Sequence, residues 1–141
     1  MSDRVSILVV DDDPLLRAIV MQIVVPQGYD CAEAEDGEAA ITHLETARAD
    51  LVVLDMLMPN KEGVETIQEL RARWPEIRII AISGGAARIG PDPLLRMASL
   101  MGADAVMAKP LNARFFLELI REVMARPRVI AGAFGSSAKT G

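Results

Sequence analysis

The sequence predicts an α/β fold: a doubly wound parallel sheet of five strands with helices on both faces. Three observations carry this reading. Five apolar runs of strand length alternate with five stretches whose apolar residues recur at helical spacing. The strand runs are mostly continuous in apolar character, as expected where both faces of a parallel sheet are covered. Four of the five runs end at a polar residue with chemistry to offer, and in such sheets ligands sit beyond the carboxyl ends of the strands.

Residues 5–10 form the first β-rich run, which leads into Asp11-Asp12-Asp13. Asp13-Pro14 reads as a helix N-cap followed by proline at the first helical position. Leu15, Leu16, Ile19, Val20, Ile23 and Val24 then mark one helical face, which Pro26 and Gly28 end. Residues 29–34 are a weaker strand, and Asp36-Gly37 opens a helix with Ala40, Ile41 and Leu44 inward. Residues 51–54 are the clearest buried strand, ending at Asp55. A loop with Pro59 and Gly63 precedes a helix striped by Val64, Ile67, Leu70 and Trp74 and broken by Pro75. The fourth strand, residues 77–82, ends at Ser83-Gly84-Gly85. A loop with Gly90, Pro91 and Pro93 leads to a helix through Leu94, Leu95, Ala98 and Met101. Residues 105–108 are a short fifth strand followed by Lys109-Pro110. Asn112 caps a last helix carrying Phe115, Phe116, Leu119, Ile120 and Val123.

The 141 residues, 51% of them hydrophobic, suit one domain, placed over 1–126, and residues 127–141 are expected to be a disordered tail. A chain of this length buries roughly two-thirds of its unfolded surface. The net charge of −5 and the lack of a basic run argue against direct DNA binding. Cys31 is the only cysteine, which excludes an intrachain disulfide and a multi-cysteine metal site. His43 is the only histidine and is expected to be solvated; Cys31 is expected to pack as a small hydrophobe. No apolar run approaches the ~18 residues of a membrane span, and the N-terminus does not read as a signal peptide. The expected location is the cytoplasm, without membrane insertion.

The strand ends are the informative positions. Asp11, Asp12 and Asp13 follow the first strand, Asp55 ends the third, Ser83 the fourth, and Lys109 follows the fifth. A doubly wound sheet brings these groups to one edge. Carboxylates a few ångströms apart repel by on the order of 4 kcal/mol per pair at an effective dielectric near 20. A bound cation relieves that cost. The donors are hard oxygens, so Mg²⁺ or Mn²⁺ fits best, with phosphoryl oxygens completing the shell. Asp55, ending the most buried strand, is the natural nucleophile for a carboxyl phosphate. Lys109 adds a point charge and Ser83 a hydroxyl for phosphoryl oxygens. Taken singly, each residue is an ordinary cap or loop residue; their order along the chain is what is specific. Asp13 is assigned to the helix cap.

Across about residues 5–126 the chain resembles the receiver domain of two-component response regulators. The resemblance rests on ILVVDDDP at 7–14, DLVVLDMLMP at 50–59 with Gly63, IIAIS at 79–83, and Gly102-Ala103-Asp104 leading to Lys109-Pro110. It implies a flavodoxin-like strand order of 2-1-3-4-5. It also implies that Asp55 is phosphorylated by a phosphohistidine of a sensor histidine kinase or histidine phosphotransfer protein. Asp12 would ligate Mg²⁺ directly, Asp11 mainly through water, and Asp55 and the backbone carbonyl of Leu57 would complete the metal site. Ser83 and Lys109 would contact the phosphoryl group. Transfer and dephosphorylation would be self-catalysed, so the protein counts as a regulator rather than an enzyme. With no output domain expected, the signal would pass to an unknown downstream protein, from a monomer or weak homodimer, or the domain would act as a phosphate shuttle or sink.

Two features depart from the family pattern. Val106 stands where the family often has an aromatic ring three residues before the lysine. The stretch between Ser83 and Lys109 is also longer by about one helical turn, with the excess assigned between Gly84 and Pro93. The expected switch is therefore an ordering of residues 84–93 rather than a ring rotation. Two other functions remain open at this stage: a haloacid-dehalogenase-like phosphatase with Asp11 as nucleophile, and a pseudo-receiver that binds partners without phosphorylation.

Overall fold

The computed structural model describes residues 4–57, 63–84 and 93–127, with backbone only at Leu94. The expected switch segment and the expected tail fall largely outside these residues, as do Met58, Pro59, Gly85, Gly90 and Pro91.

Five strands alternate with five helices: β1 Ser6–Val10, α1 Pro14–Val24, β2 Asp30–Ala34, α2 Gly37–Thr46, β3 Leu51–Asp55, α3 Gly63–Arg73, β4 Arg78–Ser83, α4 Pro93–Leu100, β5 Ala105–Ala108 and α5 Ala113–Ala125. All neighbouring strands pair in parallel, in the order β2-β1-β3-β4-β5. The expected class and strand order are both present.

Parallel strands joined by helices leave both sheet faces covered, and the side chains divide accordingly. Leu8, Val10, Val52, Leu54, Ile79 and Ala81 pack with α2, α3 and α4. Ile7, Val9, Leu51, Val53, Ile80 and Ile82 pack with α1 and α5. Successive residues on β1, β3 and β4 thus enter opposite cores, which is why these strands read as unbroken apolar runs. The edge strands carry more polar or exposed positions, so the second strand gave a weaker sequence signal.

The helix starts follow their capping residues. Asp13 accepts from Leu15 N at 2.9 Å, Asp36 from Ala39 N at 2.8 Å and Asn112 from Phe115 N at 2.9 Å. Helix α1 ends in a 3₁₀ turn, Val25–Gln27, closed by Gly28 at φ 97°, a conformation that favours glycine. Not every apolar helix residue faces the core: Leu15 is 67% exposed, Ile19 37% and Phe115 52%. The six apolar residues assigned to α1 span more than one face, and only Val20 and Val24 are fully buried, with Leu16 and Ile23 packed beside them. Trp74 and Met101 lie just past their helices and are half-buried. His43 is half-buried rather than solvated. Cys31 packs against the α1–α5 core as expected, and burial pushes its thiol up to about 11.

Candidate functional site

Each predicted site residue stands at the carboxyl edge of the sheet, held by the last rungs of the ladder. Asp11 N donates to Ala34 O at 3.1 Å, Met56 N to Ile82 O at 2.8 Å, and Lys109 N to Ser83 O at 2.9 Å. Because β1 and β3 are neighbours in mid-sheet, their terminal carboxylates converge. Asp11, Asp12 and Asp55 each offer an oxygen, all within 4.8 Å of one another. Asp11 and Asp55 are buried, whereas Asp12 is exposed. Asp13 caps α1, as assigned. Ser83 is buried at the end of β4, and the next residue, Gly84, opens to solvent.

Lys109 follows the edge strand β5 and reaches inward across the end of β4. Its Nζ lies 3.3 Å from Asp11 Oδ2 and 3.7 Å from Asp55 Oδ2. The Lys109–Pro110 peptide is cis. A Cβ at Gly84 would stand 2.7 Å from Lys109 Cδ. Glycine there gives the lysine stem its path, a role that residue-by-residue reading missed. The available signal was a glycine on the line between an edge-strand lysine and mid-sheet acids. Arg17 was also missed: its Nη1 donates to Asp11 O at 2.7 Å and its Nε to Glu33 Oε1 at 2.6 Å. That clamp fixes the backbone from which Asp11 projects. Gly63 is a third such residue, since a Cβ there would lie 2.6 Å from Met56 Cα, next to Asp55.

Local donors satisfy half of each buried carboxylate. Asp11 Oδ1 accepts from Asp13 N at 2.8 Å and Asp55 Oδ1 from Leu57 N at 3.1 Å. Asp11 Oδ2 is buried without a hydrogen bond; the Lys109 contact is an ion pair lacking hydrogen-bond geometry. Burial raises the Asp11 carboxyl above its usual range, and nearby Asp12 raises it further. The Asp13 N–H and Lys109 oppose the rise. Asp55 is pushed up to about 6, first by burial, then by the charges of Asp11 and Asp12, against the Leu57 N–H and Lys109.

Among the described residues, the Lys109 ammonium thus pairs with Asp11 and Asp55 beside Asp12, and buried Asp11 Oδ2 lacks a hydrogen-bond donor. This is the charge pattern of a site for a second cation. The all-oxygen donor set fits Mg²⁺, a hard cation that keeps waters and takes phosphoryl oxygens in its shell. Leu57, 64% exposed, meets Asp55 through its N–H.

A family model described as the response regulator receiver domain matches residues 7–121. The transcriptional regulatory protein CpxR of Klebsiella pneumoniae is 33% identical over 123 residues, covering 86% of this chain and 50% of CpxR. AruR of Pseudomonas aeruginosa, also a transcriptional regulatory protein, is 37% identical over 129 residues, with 86% of this chain and 50% of AruR covered. The chain therefore spans about half the length of these curated relatives. Among solved structures, a CheY-like receiver domain protein from Methanospirillum hungatei matches with TM-score 0.77 at 28% identity, covering 85% of this chain and 93% of that one. The response regulator TrrA of Thermotoga maritima, solved in complex with Mg²⁺ and BeF, matches with TM-score 0.74 at 28% identity, covering 84% and 98%.

Proposed function

Because the chain belongs to the response regulator receiver domain family of two-component signalling, we propose that Asp55 is its phosphoacceptor in a Mg²⁺-dependent reaction. The donor is a phosphohistidine of a sensor histidine kinase or histidine phosphotransfer protein in the cytoplasm. An Asp55 oxygen bonds to phosphorus, the P–N bond breaks, and the electron pair leaves with the imidazole. The observation that carries this reading is the buried Asp11–Asp55 pair beside exposed Asp12, with one lysine at 3.3 and 3.7 Å.

Asp11, Asp12, Asp55 and the Leu57 carbonyl are the proposed metal ligands. Bound there, Mg²⁺ supplies the positive charge that lets a phosphoryl oxygen approach the carboxylates. Lys109 neutralises a second phosphoryl oxygen, and the Ser83 hydroxyl donates to a third. Arg17 and Gly84 hold Asp11 and Lys109 in place. Phosphoryl transfer needs little else from the protein than this positioning and charge, so the domain catalyses its own phosphorylation and dephosphorylation. Asp11 is less suited to the nucleophile's part that a phosphatase would give it, being fully buried with Oδ1 held by the Asp13 N–H. A pseudo-receiver would leave the acid cluster's repulsion without a use.

Beryllofluoride, a phosphoryl mimic, tests the site without a kinase. Together with Mg²⁺ it should raise the melting temperature well above that with Mg²⁺ alone, and Asp55→Asn should abolish the increment. An increment that survives Asp55→Asn would place the phosphoryl site on another residue.

A further inference from the structure

The turn after β1 is held from a neighbouring strand. Cys31 packs with the α1–α5 core, and strand alternation sends Glu33, two residues on, out of the same face of β2. There its Oε1 accepts from Arg17 Nε at 2.6 Å, and Arg17 Nη1 donates to Asp11 O at 2.7 Å. The Asp11 carbonyl lies past Val10, the last residue of β1, which pairs with Ala34 and Leu54. Arg17 therefore extends the support of the sheet into the Asp11–Asp12 turn, beside the rung from Asp11 N to Ala34 O.

Local preference does not explain this arginine. It stands four residues after the Asp13 cap, in a helix with no acid in its first turn. A cation near a helix N-terminus opposes the macrodipole, and a cation beside a metal site repels the metal. Helix formation and metal attraction would thus both favour a neutral residue here. What arginine offers is a planar fork with donors in fixed directions, mostly buried and aimed by the half-exposed Glu33.

We propose that Arg17 and Glu33 are positioning residues that set how tightly the acidic edge takes its divalent cation. The role rests on the metal site proposed above. Glu33 aims the guanidinium, and the guanidinium fixes the Asp11 carbonyl. The fixed turn keeps the Asp11 and Asp12 carboxylates in the cluster whose oxygens lie within 4.8 Å of one another, a cluster to which neither Arg17 nor Glu33 belongs. Loss of such outer contacts typically weakens a metal site by about 10- to 100-fold. The sign separates position from charge. If Arg17 acts by position, its loss weakens Mg²⁺ binding; if it acts only by charge, its loss tightens it.

Titration of the full chain with Mg²⁺ alone, followed by the amide shifts of residues 11–13 and 55–57, tests it. Arg17→Met and Arg17→Lys should each raise the Kd about tenfold, because lysine keeps the charge without the fork. Glu33→Gln should weaken binding in the same direction, yet add nothing in an Arg17→Met background, since it acts through Arg17. Asp30→Asn, which weakens the Arg4–Asp30 ion pair at the other end of β2, should leave the Kd unchanged. Metal-free melting of each variant is measured alongside. Tighter binding in Arg17→Met, or the unmodified Kd in Arg17→Lys, would show an effect of charge alone and overturn the proposal. So would a Kd that stays constant while melting falls, or additive loss from Glu33→Gln. An unmodified chain whose amides do not respond to Mg²⁺ would refute the metal site itself, and this role with it.

Discussion

Burial makes the charge on Asp55 conditional. Its carboxyl titrates near 6, against an ordinary 3.8. A carboxyl whose folded value lies above its unfolded one binds its proton more tightly when folded. Stability is then greatest below the unfolded value and is lost as pH rises through the folded one. Without metal, the protein should lose on the order of 2–3 kcal/mol between pH 4 and pH 6 from Asp55, with Asp11 adding in the same direction. Asp55→Asn should flatten most of that decline, which urea unfolding in chelator across this range would measure. A second residue-scale expectation concerns Gly84. Its replacement by alanine crowds Lys109 Cδ, 2.7 Å from where the new Cβ would stand. Gly84→Ala should therefore slow labelling by acetyl phosphate several-fold while shifting the melting temperature little, since Gly84 itself is exposed. Asp55, Ser83 and Lys109 were legible because strand ends can be read from an apolar run and its stop. Gly84 and Arg17 were not, because each acts on a residue brought near only by strand order.

Helices lose more in translation from sequence than strands do. The N-caps of α1, α2 and α5 were legible, since Asp13, Asp36 and Asn112 each precede a helical pattern with a side chain suited to an unpaired N–H. Facing was less so. Spacings of three and four residues admit neighbouring stripes, and burial of Phe116 leaves no place in the core for the adjacent Phe115. Helix α1 shows what an outward apolar residue can be for. Leu15 and Ile19 are exposed near the acidic edge, on the helix that Asp13 caps. Leu15→Asp with Ile19→Asp should leave melting and acetyl phosphate labelling nearly intact and slow transfer from a phosphohistidine protein. Equal loss with both donors would assign these residues to the site's integrity instead. Val20→Ala, by contrast, opens space at a fully buried contact and should cost roughly 1–3 kcal/mol by denaturant unfolding.

At the scale of the whole molecule, the acidic edge is a local instability built into a well-packed sheet. Among the described residues, three clustered carboxylates have the Lys109 ammonium beside two of them, and every strand that contributes a member is fixed by the ladder on at least one side. A cation at this edge should therefore stabilise the entire domain: at 100 times Kd, Mg²⁺ adds ~2.7 kcal/mol. Asp12→Ala should remove most of that gain yet raise metal-free stability, and melting curves over millimolar Mg²⁺ would show both. The five-strand topology was legible as a whole because periodicity, capping and strand ends agree with one another. The expected read-out through residues 84–93 awaits amide exchange with and without beryllofluoride. Protection there that is lost in Ser83→Ala would support it, and change centred on Val106 would oppose it. The most direct measurement of the central claim is incubation with acetyl phosphate and Mg²⁺, followed by intact mass and peptide mapping. The site predicts a single phosphoryl adduct on Asp55, dependent on Mg²⁺ and absent from Asp55→Asn. An adduct on Asp11, or one that persists in Asp55→Asn, would contradict it.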